Sequence, residues 1–188
     1  MAKIGVIAVQ GAFREHERII QELGAQTVQV KLPKHLDGVD GVVIPGGEST
    51  AIGRLMREYN LLEGVREVAS SGAPIFGTCA GMIVMAKHIS GGESAHLGLL
   101  DVEVNRNSFG RQRDSFETDL AIPVLGSDPF PAVFIRAPHI ASVGEGVEVL
   151  ARYEDRVVAV KEGNCLAISF HPELTDDNRL HGYMLSLV

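Results

Sequence analysis

The sequence is poor in several kinds of residue, and each shortage argues against a class of protein. Its 188 residues include two cysteines and no tryptophan. The cysteines, Cys79 and Cys165, are far apart and form no Cys-x-x-Cys pair, which argues against a disulfide scaffold or a zinc site and favours a reducing compartment. Positive charge is also in deficit. The formal net charge of -7 argues against a protein that binds nucleic acid by neutralising phosphates.

Long apolar runs are missing as well. The first run, residues 4–9, gives way to charged residues from Arg14 onward, and it is too short for a signal peptide or a membrane span. Hydrophobic residues make up 45% of the chain, enough to bury one core at this length. We therefore expect a cytoplasmic protein with one domain, residues 1–188, and no membrane association.

What the chain does contain is a series of short apolar runs that alternate with amphipathic stretches. Nearly unbroken runs are typical of strands buried in a parallel sheet; they occupy residues 3–10, 27–32, 39–44, 73–77 and 164–170. Helices are predicted over residues 13–23, from Ser49, over 61–69, over 80–89 and from about Asp177. This alternation predicts an α/β fold with an open, doubly wound, mostly parallel sheet of the flavodoxin-like kind.

The pattern changes between residues 91 and 162. Short strands separated by turns are predicted there, at residues 99–104, 116–122, 131–135, 147–153 and 157–161. Such a series predicts an antiparallel extension of the sheet.

The chain is organised around the segment Gly77-Thr78-Cys79-Ala80-Gly81. Glycines two residues to either side of Cys79 fit a sharp strand-to-helix elbow that exposes a nucleophile, because strand and helix approach closely there. The alternative is that Cys79 is a small buried residue, as most free cysteines are.

A histidine and a carboxylate follow the strand at residues 164–170, in the segment His171-Pro172-Glu173. Proline favours extended backbone at His171, and extended residues two apart face the same way, so the two side chains can pair. The other histidines stand in predicted helices among charged residues (His16, His88, His181), in loops (His35, His96) or in a turn (His139). Cys79, His171 and Glu173 thus supply a nucleophile, a base and an orienting group at one sheet edge.

Two loops have more than one interpretation. The loop Pro45-Gly46-Gly47-Glu48-Ser49-Thr50, with Ser49 as the predicted N-cap, is either a structural turn or a source of amide donors for an oxyanion. It lacks the lysine of a phosphate-binding P-loop. The basic loop of residues 106–113 is either a solvated surface loop or the source of an arginine that binds a carboxylate.

Taken together, these motifs resemble those of the class I (triad) glutamine amidotransferases. More narrowly, Cys-Ala-Gly at the elbow, Gly-Gly-Glu-Ser-Thr, Arg-Asn-Ser-Phe-Gly-Arg-Gln from Arg106 and Gln10-Gly11-Ala12 are similar to the glutaminase subunits of pyridoxal 5'-phosphate synthase, the PdxT family. The similarity extends over residues 1–188.

The resemblance implies hydrolysis of L-glutamine to L-glutamate and ammonia, through a Cys79 thioester and without a cofactor or metal. It places the oxyanion hole at the N–H groups of Gly47 and Ala80 and the ammonia exit at Gln10. It also implies a partner, the (β/α)8-barrel synthase subunit that uses ammonia to make pyridoxal 5'-phosphate. The residues that the resemblance places around the glutamine substrate are Gly46, Gly47, Glu48, Ser49, Arg106, Ile135 and Arg136.

Three other functions are compatible with parts of the pattern. One is a glutaminase that serves a different synthase, such as one making imidazole glycerol phosphate. A second is a non-catalytic binding subunit that keeps the elbow for structure, although it would be expected to lose Cys79, His171 or Glu173. The third is a cysteine protease or thiol hydrolase, which an arginine suited to a free amino acid's carboxylate disfavours.

Overall fold

A computed structural model of the protein describes residues 1–106 and 114–188. The helices are α1 (Phe13–Glu22), α2 (Ser49–Glu58), α3 (Leu61–Ser70), α4 (Ala80–Met85) and α5 (Arg179–Ser186). The strands are β1 (Lys3–Ile7), β2 (Gln26–Val30), β3 (Gly41–Ile44), β4 (Ile75–Thr78), β5 (Ala86–Ile89), β6 (Leu100–Asn105), β7 (Ser115–Leu120), β8 (Phe130–Ile135), β9 (His139–Val143), β10 (Glu148–Tyr153), β11 (Arg156–Glu162) and β12 (Cys165–Ile168). No helix in these two ranges is both long and apolar enough to cross a membrane.

Ten strands form one sheet whose first half is parallel. Its order is β2-β1-β3-β4-β12-β11-β9-β6-β5, and β10, which is off this path, pairs with β11. Strands β2, β1, β3, β4 and β12 run parallel, whereas β11 is antiparallel to β12, β10 and β9. The prediction of a mostly parallel sheet with an antiparallel extension is therefore confirmed.

Helices cover both faces of the sheet because its strands carry apolar side chains on both sides. On one face, α2, α3 and α4 pack residues such as Ile52, Val65 and Val84 against the strands. On the other, α1 and α5 contribute Ile20 and Leu180. All five of these side chains are inaccessible to solvent. This two-faced burial is the doubly wound arrangement predicted for the fold.

The pairing of β4 with β12 positions the functional residues. The two strands are parallel and in register, with Thr78 opposite Ile168, so their carboxyl ends lie at the same edge of the sheet. The Cys79 N–H donates to the Ile168 carbonyl at 2.9 Å. The elbow after β4 and the segment after β12 are thereby placed side by side.

Strands β7 and β8 form a separate two-stranded antiparallel sheet. They were expected to belong to the extension of the main sheet, and that prediction is wrong. Their aromatic side chains instead form a layer over the main sheet, where Phe116 stacks on Phe134 at 4.8 Å between ring centroids and Phe134 packs on Phe170 at 5.4 Å. The Val133 carbonyl accepts the His171 N–H at 2.8 Å, so this small sheet also fixes the segment after β12.

Two further segments differ from the sequence-based expectation. The helix after the elbow ends at Met85 rather than near Ile89, because Ala86 is already extended (φ -67°, ψ 145°) and begins β5. Strand β5 then pairs with β6, and Lys87 and His88 project into solvent. Strand β9 was not predicted at all, since its exposed residues interrupt any apolar run.

Candidate active site

Cys79 occupies a strained turn between β4 and α4. Its φ of 50° and ψ of -108° lie in the left-handed half of the map, which is costly for a residue with a side chain. The turn closes tightly around it. A Cβ on Gly77 would lie 2.5 Å from Met85 Sδ, and one on Gly81 would overlap the Ile44 carbonyl oxygen. Both positions therefore need glycine for the strand and helix to approach so closely.

His171 and Glu173 form a buried pair beside this elbow. His171 Nδ1 is 2.5 Å from Glu173 Oε1, and the two side chains are 10% and 0% exposed. The pairing was expected to come from extended backbone. Instead Pro172–Leu174 forms a 3-10 turn, and this turn brings the carboxylate back beneath the imidazole.

The remaining nitrogen of His171 faces the thiol. Burial by itself would lower the pKa of His171, but hydrogen bonds with Cys79 and Glu173 raise that pKa to about 10. The imidazole therefore holds both protons near neutral pH. The Cys79 Sγ also lies 3.8 Å from the Ile135 carbonyl oxygen at the end of β8.

Cys79 opens onto a cleft of about 290 Å3, whereas the buried His171 and Glu173 lie behind it and are not among its lining residues. Of the residues predicted for the site, Gly47, Glu48, Ser49, Cys79, Ala80, Arg106 and Arg136 line it. Ile83 and Pro138 also line the cleft and were not predicted. Ile83 lies one helical turn after Ala80, a spacing that places both on one helix face and could have revealed it. Nothing in the sequence singles out Pro138.

The Gly-Gly loop ends in an N-cap that differs from the expected one. Glu48, not Ser49, caps α2, because its Oε1 accepts from the Thr50 N–H at 3.1 Å and its Oε2 from the Ala51 N–H at 2.7 Å. Partial burial would raise the pKa of Glu48, but these backbone hydrogen bonds hold it below its ordinary value. A negative charge is thus fixed at the mouth of the cleft.

Two arginines line the same cleft. Arg106 Nη2 donates to Thr50 Oγ1 at 3.1 Å and to Glu93 Oε1 at 2.5 Å, whereas its buried Nε has no hydrogen-bond partner among the residues described. Arg136 is exposed at the end of β8, with a φ of 44°. Residues 107–113, the rest of the basic loop, lie outside the described residues.

The Gly46–Gly47 peptide is held against the turn after β1. The Ala12 N–H donates to the Gly46 carbonyl at 3.0 Å, and because the peptide is trans the Gly47 N–H points away from Ala12. Gln10 Oε1 accepts the Glu48 N–H at 2.9 Å. Gly46 itself packs under the His171 imidazole, since a Cβ there would lie 2.6 Å from His171 Cε1.

His16 and His181 are not in the solvent-facing positions that their charged sequence neighbours suggested. Both are fully buried, and their rings contact each other behind Glu173. Both occupy the apolar side of short amphipathic helices, with Ile19 and Ile20 or with Leu180 and Met184, a spacing that could have revealed their burial. Within residues 1–106 and 114–188, no cluster of three or more metal-ligating side chains is present.

The fold and the cysteine elbow are those of the class I glutamine amidotransferases. More narrowly, the model of the SNO glutamine amidotransferase family matches residues 6–188, and the chain belongs to that family.

Related proteins support this family assignment. A pyridoxal 5'-phosphate synthase subunit PdxT from Pelotomaculum thermopropionicum is 55% identical over 183 residues, which cover 97% of this chain and 93% of that protein. The subunit of the same name from Geobacillus kaustophilus is 56% identical and aligns over 99% of this chain and 94% of its own length. A crystal structure of a glutamine amidotransferase, 50% identical, superposes with a TM-score of 0.93 and covers 98% of this chain and 97% of its own. The resemblance to the PdxT family drawn from the motifs is thereby confirmed.

Proposed function

We propose that this chain hydrolyses L-glutamine to L-glutamate and ammonia with Cys79 as nucleophile, His171 as acid and base, and Glu173 as the orienting carboxylate. One observation carries the proposal. A strained cysteine lines a cleft, a histidine is hydrogen-bonded to it, and a buried carboxylate binds the second imidazole nitrogen. This is the arrangement that activates a thiol for acyl transfer.

In the first step, the Cys79 sulfur attacks the side-chain amide carbon of glutamine. The carbonyl oxygen becomes an oxyanion, and the amide C–N bond then breaks as His171 gives its Nε2 proton to the leaving nitrogen. Ammonia departs and a γ-glutamyl thioester remains on Cys79. The raised pKa of His171 suits this step, because the imidazole enters it already protonated.

In the second step, water attacks the thioester. His171, now neutral, accepts a proton from that water, and the C–S bond breaks to release glutamate. Cys79 leaves as the thiolate that began the cycle and His171 is again protonated by the proton it took from water, so the starting state is restored. Throughout, the Glu173 carboxylate keeps Nδ1–H in place and stabilises the imidazolium.

The oxyanion is assigned to the N–H groups of Gly47 and Ala80. Both residues line the cleft on either side of Cys79, and each such donor contributes about 3 kcal/mol in comparable sites.

The charged end of glutamine is assigned to the polar wall of the cleft. The unpaired Nε–H of Arg106 and the exposed guanidinium of Arg136 suit the α-carboxylate. The negative charge of Glu48 suits the α-ammonium group. Ser49 and the Ile135 carbonyl complete the pocket near the reacting amide, with Gly46 beneath it.

Ammonia released to water would be lost, so glutamine hydrolysis of this kind calls for a partner that consumes the ammonia. The two PdxT relatives described above are named as subunits of pyridoxal 5'-phosphate synthase, and we assign this chain to the same role, with the barrel-shaped synthase subunit as its partner. Gln10, which borders the Gly47 loop, is assigned to the ammonia exit. Residues 1–188 act as one glutaminase domain, in the cytoplasm.

The test is glutamate release from glutamine by the chain alone and with the synthase subunit of one of these relatives. We expect Cys79→Ala to lower the rate by about a thousandfold or more. Cys165→Ala is the matched control, because Cys165 is away from the cleft and burial raises the pKa of its thiol to about 11. Loss of activity in both variants, or in neither, would contradict the assignment of the nucleophile. Mass spectrometry of acid-quenched enzyme should show the glutamyl adduct on Cys79.

A further inference from the structure

A buried pair of histidines lies directly behind the carboxylate of the proposed triad. His16 Nδ1 and His181 Nε2 are 2.8 Å apart, and His16 Nε2 is 3.2 Å from Thr78 Oγ1. The same His16 Nε2 is 3.7 Å from Glu173 Oε2, and neither side chain is exposed. The chain of contacts therefore runs from Cys79 through His171 and Glu173 to His16 and His181.

Without this pair, one oxygen of the Glu173 carboxylate has no hydrogen-bond donor near it. Its Oε1 binds His171, but Oε2 is buried and has no hydrogen-bond partner among the described residues. An ionised carboxylate in such a place needs a donor on each oxygen. At 3.7 Å the His16 nitrogen is just beyond hydrogen-bond range, and a shift of about 0.8 Å would complete the bond. Catalytic hydrogen bonds are often long without substrate and shorten in the substrate complex.

The contacts determine which nitrogens carry protons. Burial lowers the pKa of His16 well below its ordinary value and that of His181 to about 4, so each ring carries one N–H near neutral pH. If His181 donates from Nε2 to His16 Nδ1, the single N–H of His16 is at Nε2 and faces Thr78 and Glu173. The unpaired His181 Nδ1 is then a lone pair. With the opposite tautomers, the Nδ1–H of His181 would be buried without a partner and the Nε2 lone pair of His16 would point at the Glu173 carboxylate. Both changes would cost free energy.

The surroundings of the pair favour a fixed, neutral arrangement. The groups that face His16 are His181 on α5, Thr78 on β4, and Glu173 and His171 after β12. Phe76 packs edge-on against both rings, at 6.4 Å from His16 and 5.6 Å from His181. Three separate elements, α1, α5 and β4, thus converge to hold one imidazole.

We propose that His16 is a positioning residue that presents its Nε2–H to Glu173 Oε2, with His181 setting its tautomer and Thr78 its orientation. This inference rests on the proposed glutaminase function. Its consequence is that the Glu173 carboxylate stays aimed at His171 Nδ1. His16 acts through Glu173 and contacts neither substrate nor thiol.

The first test reads the protons without any assay of activity. In the full chain labelled with 15N-histidine, NMR should show His16 and His181 neutral near pH 7, each with its proton on Nε2. A proton on Nδ1 of His16, or a positively charged His16, would overturn the proposal.

The second test uses variants in the glutaminase reaction, with the synthase subunit present. His16→Leu removes the donor, and we expect kcat to fall about tenfold with KM little changed, as for the loss of a hydrogen bond to a charged group. The alkaline limb of the kcat/KM profile should move down by about half a pH unit, because a Glu173 carboxylate that is less well held raises the pKa of His171 less. His16→Gln, whose amide nitrogen can replace Nε2, should restore most of kcat and the original profile.

Controls separate this role from simple packing. Ile20→Ala, one turn further along α1 and fully buried, should lower the thermal midpoint without moving the pH profile. If His16→Leu changes kcat only as much as Ile20→Ala and leaves the profile in place, His16 is a packing residue and the proposal fails. Wild-type protein that releases no glutamate would refute the proposed function instead, and the proton positions would still report whether the pair offers Glu173 a donor.

Discussion

Gly46 offers a sharp test of how closely the site is packed. Its φ is not in the left-handed range, so alanine causes no backbone strain there, and the effect of Gly46→Ala comes from the added methyl group alone. That methyl group would lie 2.6 Å from His171 Cε1 and 3.1 Å from His171 Nδ1. Ordinary carbon contacts begin near about 3.5 Å. The imidazole must therefore move by about 1 Å, away from its bond with Glu173.

A displacement of this size in a reacting group costs about a hundredfold in rate. We expect Gly46→Ala to lower kcat/KM for glutamine hydrolysis by that factor, and the free energy of unfolding by about 1–3 kcal/mol through overpacking. The measurements are steady-state glutamate release and urea unfolding. Gly146→Ala is the control, since its methyl group would meet only Glu162 Oε1, at 3.8 Å. Activity of Gly46→Ala within about threefold of wild type would refute the claim that His171 is held by this contact.

Two further predictions concern stability. Glu48→Ala removes the N-cap of α2 and should lower the free energy of unfolding, measured with urea, by about 1 kcal/mol. Glu58→Ala, at the exposed end of the same helix, should change this free energy little. Equal losses in the two variants would contradict the capping role of Glu48. His181 is neutral in the fold, because burial lowers its pKa from 6.5 to about 4. At about 1.4 kcal/mol per pH unit, its contribution of roughly 3 kcal/mol is present above pH 6.5 and is lost as pH falls toward 4. His171, whose pKa is raised, keeps its own contribution over that range. The free energy of unfolding, measured with urea at about pH 7 and about pH 5, should fall less between these two values in His181→Gln than in the wild type, because the glutamine side chain does not titrate. An identical fall in the two proteins would disprove the burial argument.

The sequence was sufficient where a signal is local. The Gly-x-Cys-x-Gly spacing predicted the elbow, because close backbone approach can only be met by glycine at Gly77 and Gly81. Apolar runs likewise predicted the parallel strands. Local signals failed where tertiary contacts decide. The residues after Met85 are apolar enough for a helix, but pairing with β6 draws them into a strand, and aromatic packing separates β7 and β8 from the main sheet.

At the site, too, local sequence signals predicted the residues correctly, whereas tertiary contacts decided how they are arranged. The motif placed His171 and Glu173 together, yet they meet through a 3-10 turn that proline initiates and not through extended backbone. Glu48 replaces Ser49 as the N-cap because its side chain reaches forward to the N–H groups of Thr50 and Ala51. His16 could not be placed beside Glu173 from sequence, since no periodicity reports which helix face meets a segment so far along the chain.

The register of β4 against β12 has a consequence for when the enzyme becomes active during its own synthesis. The proposed nucleophile, Cys79, is made early, just after β4, and the proposed base, His171, follows only after β12. The two are therefore brought together by a strand pairing of high contact order. A nascent chain that has been synthesised and folded only as far as α4 carries Cys79 without His171 beside it. On the proposed mechanism, hydrolysis of glutamine therefore begins only once β12 has been inserted between β4 and β11.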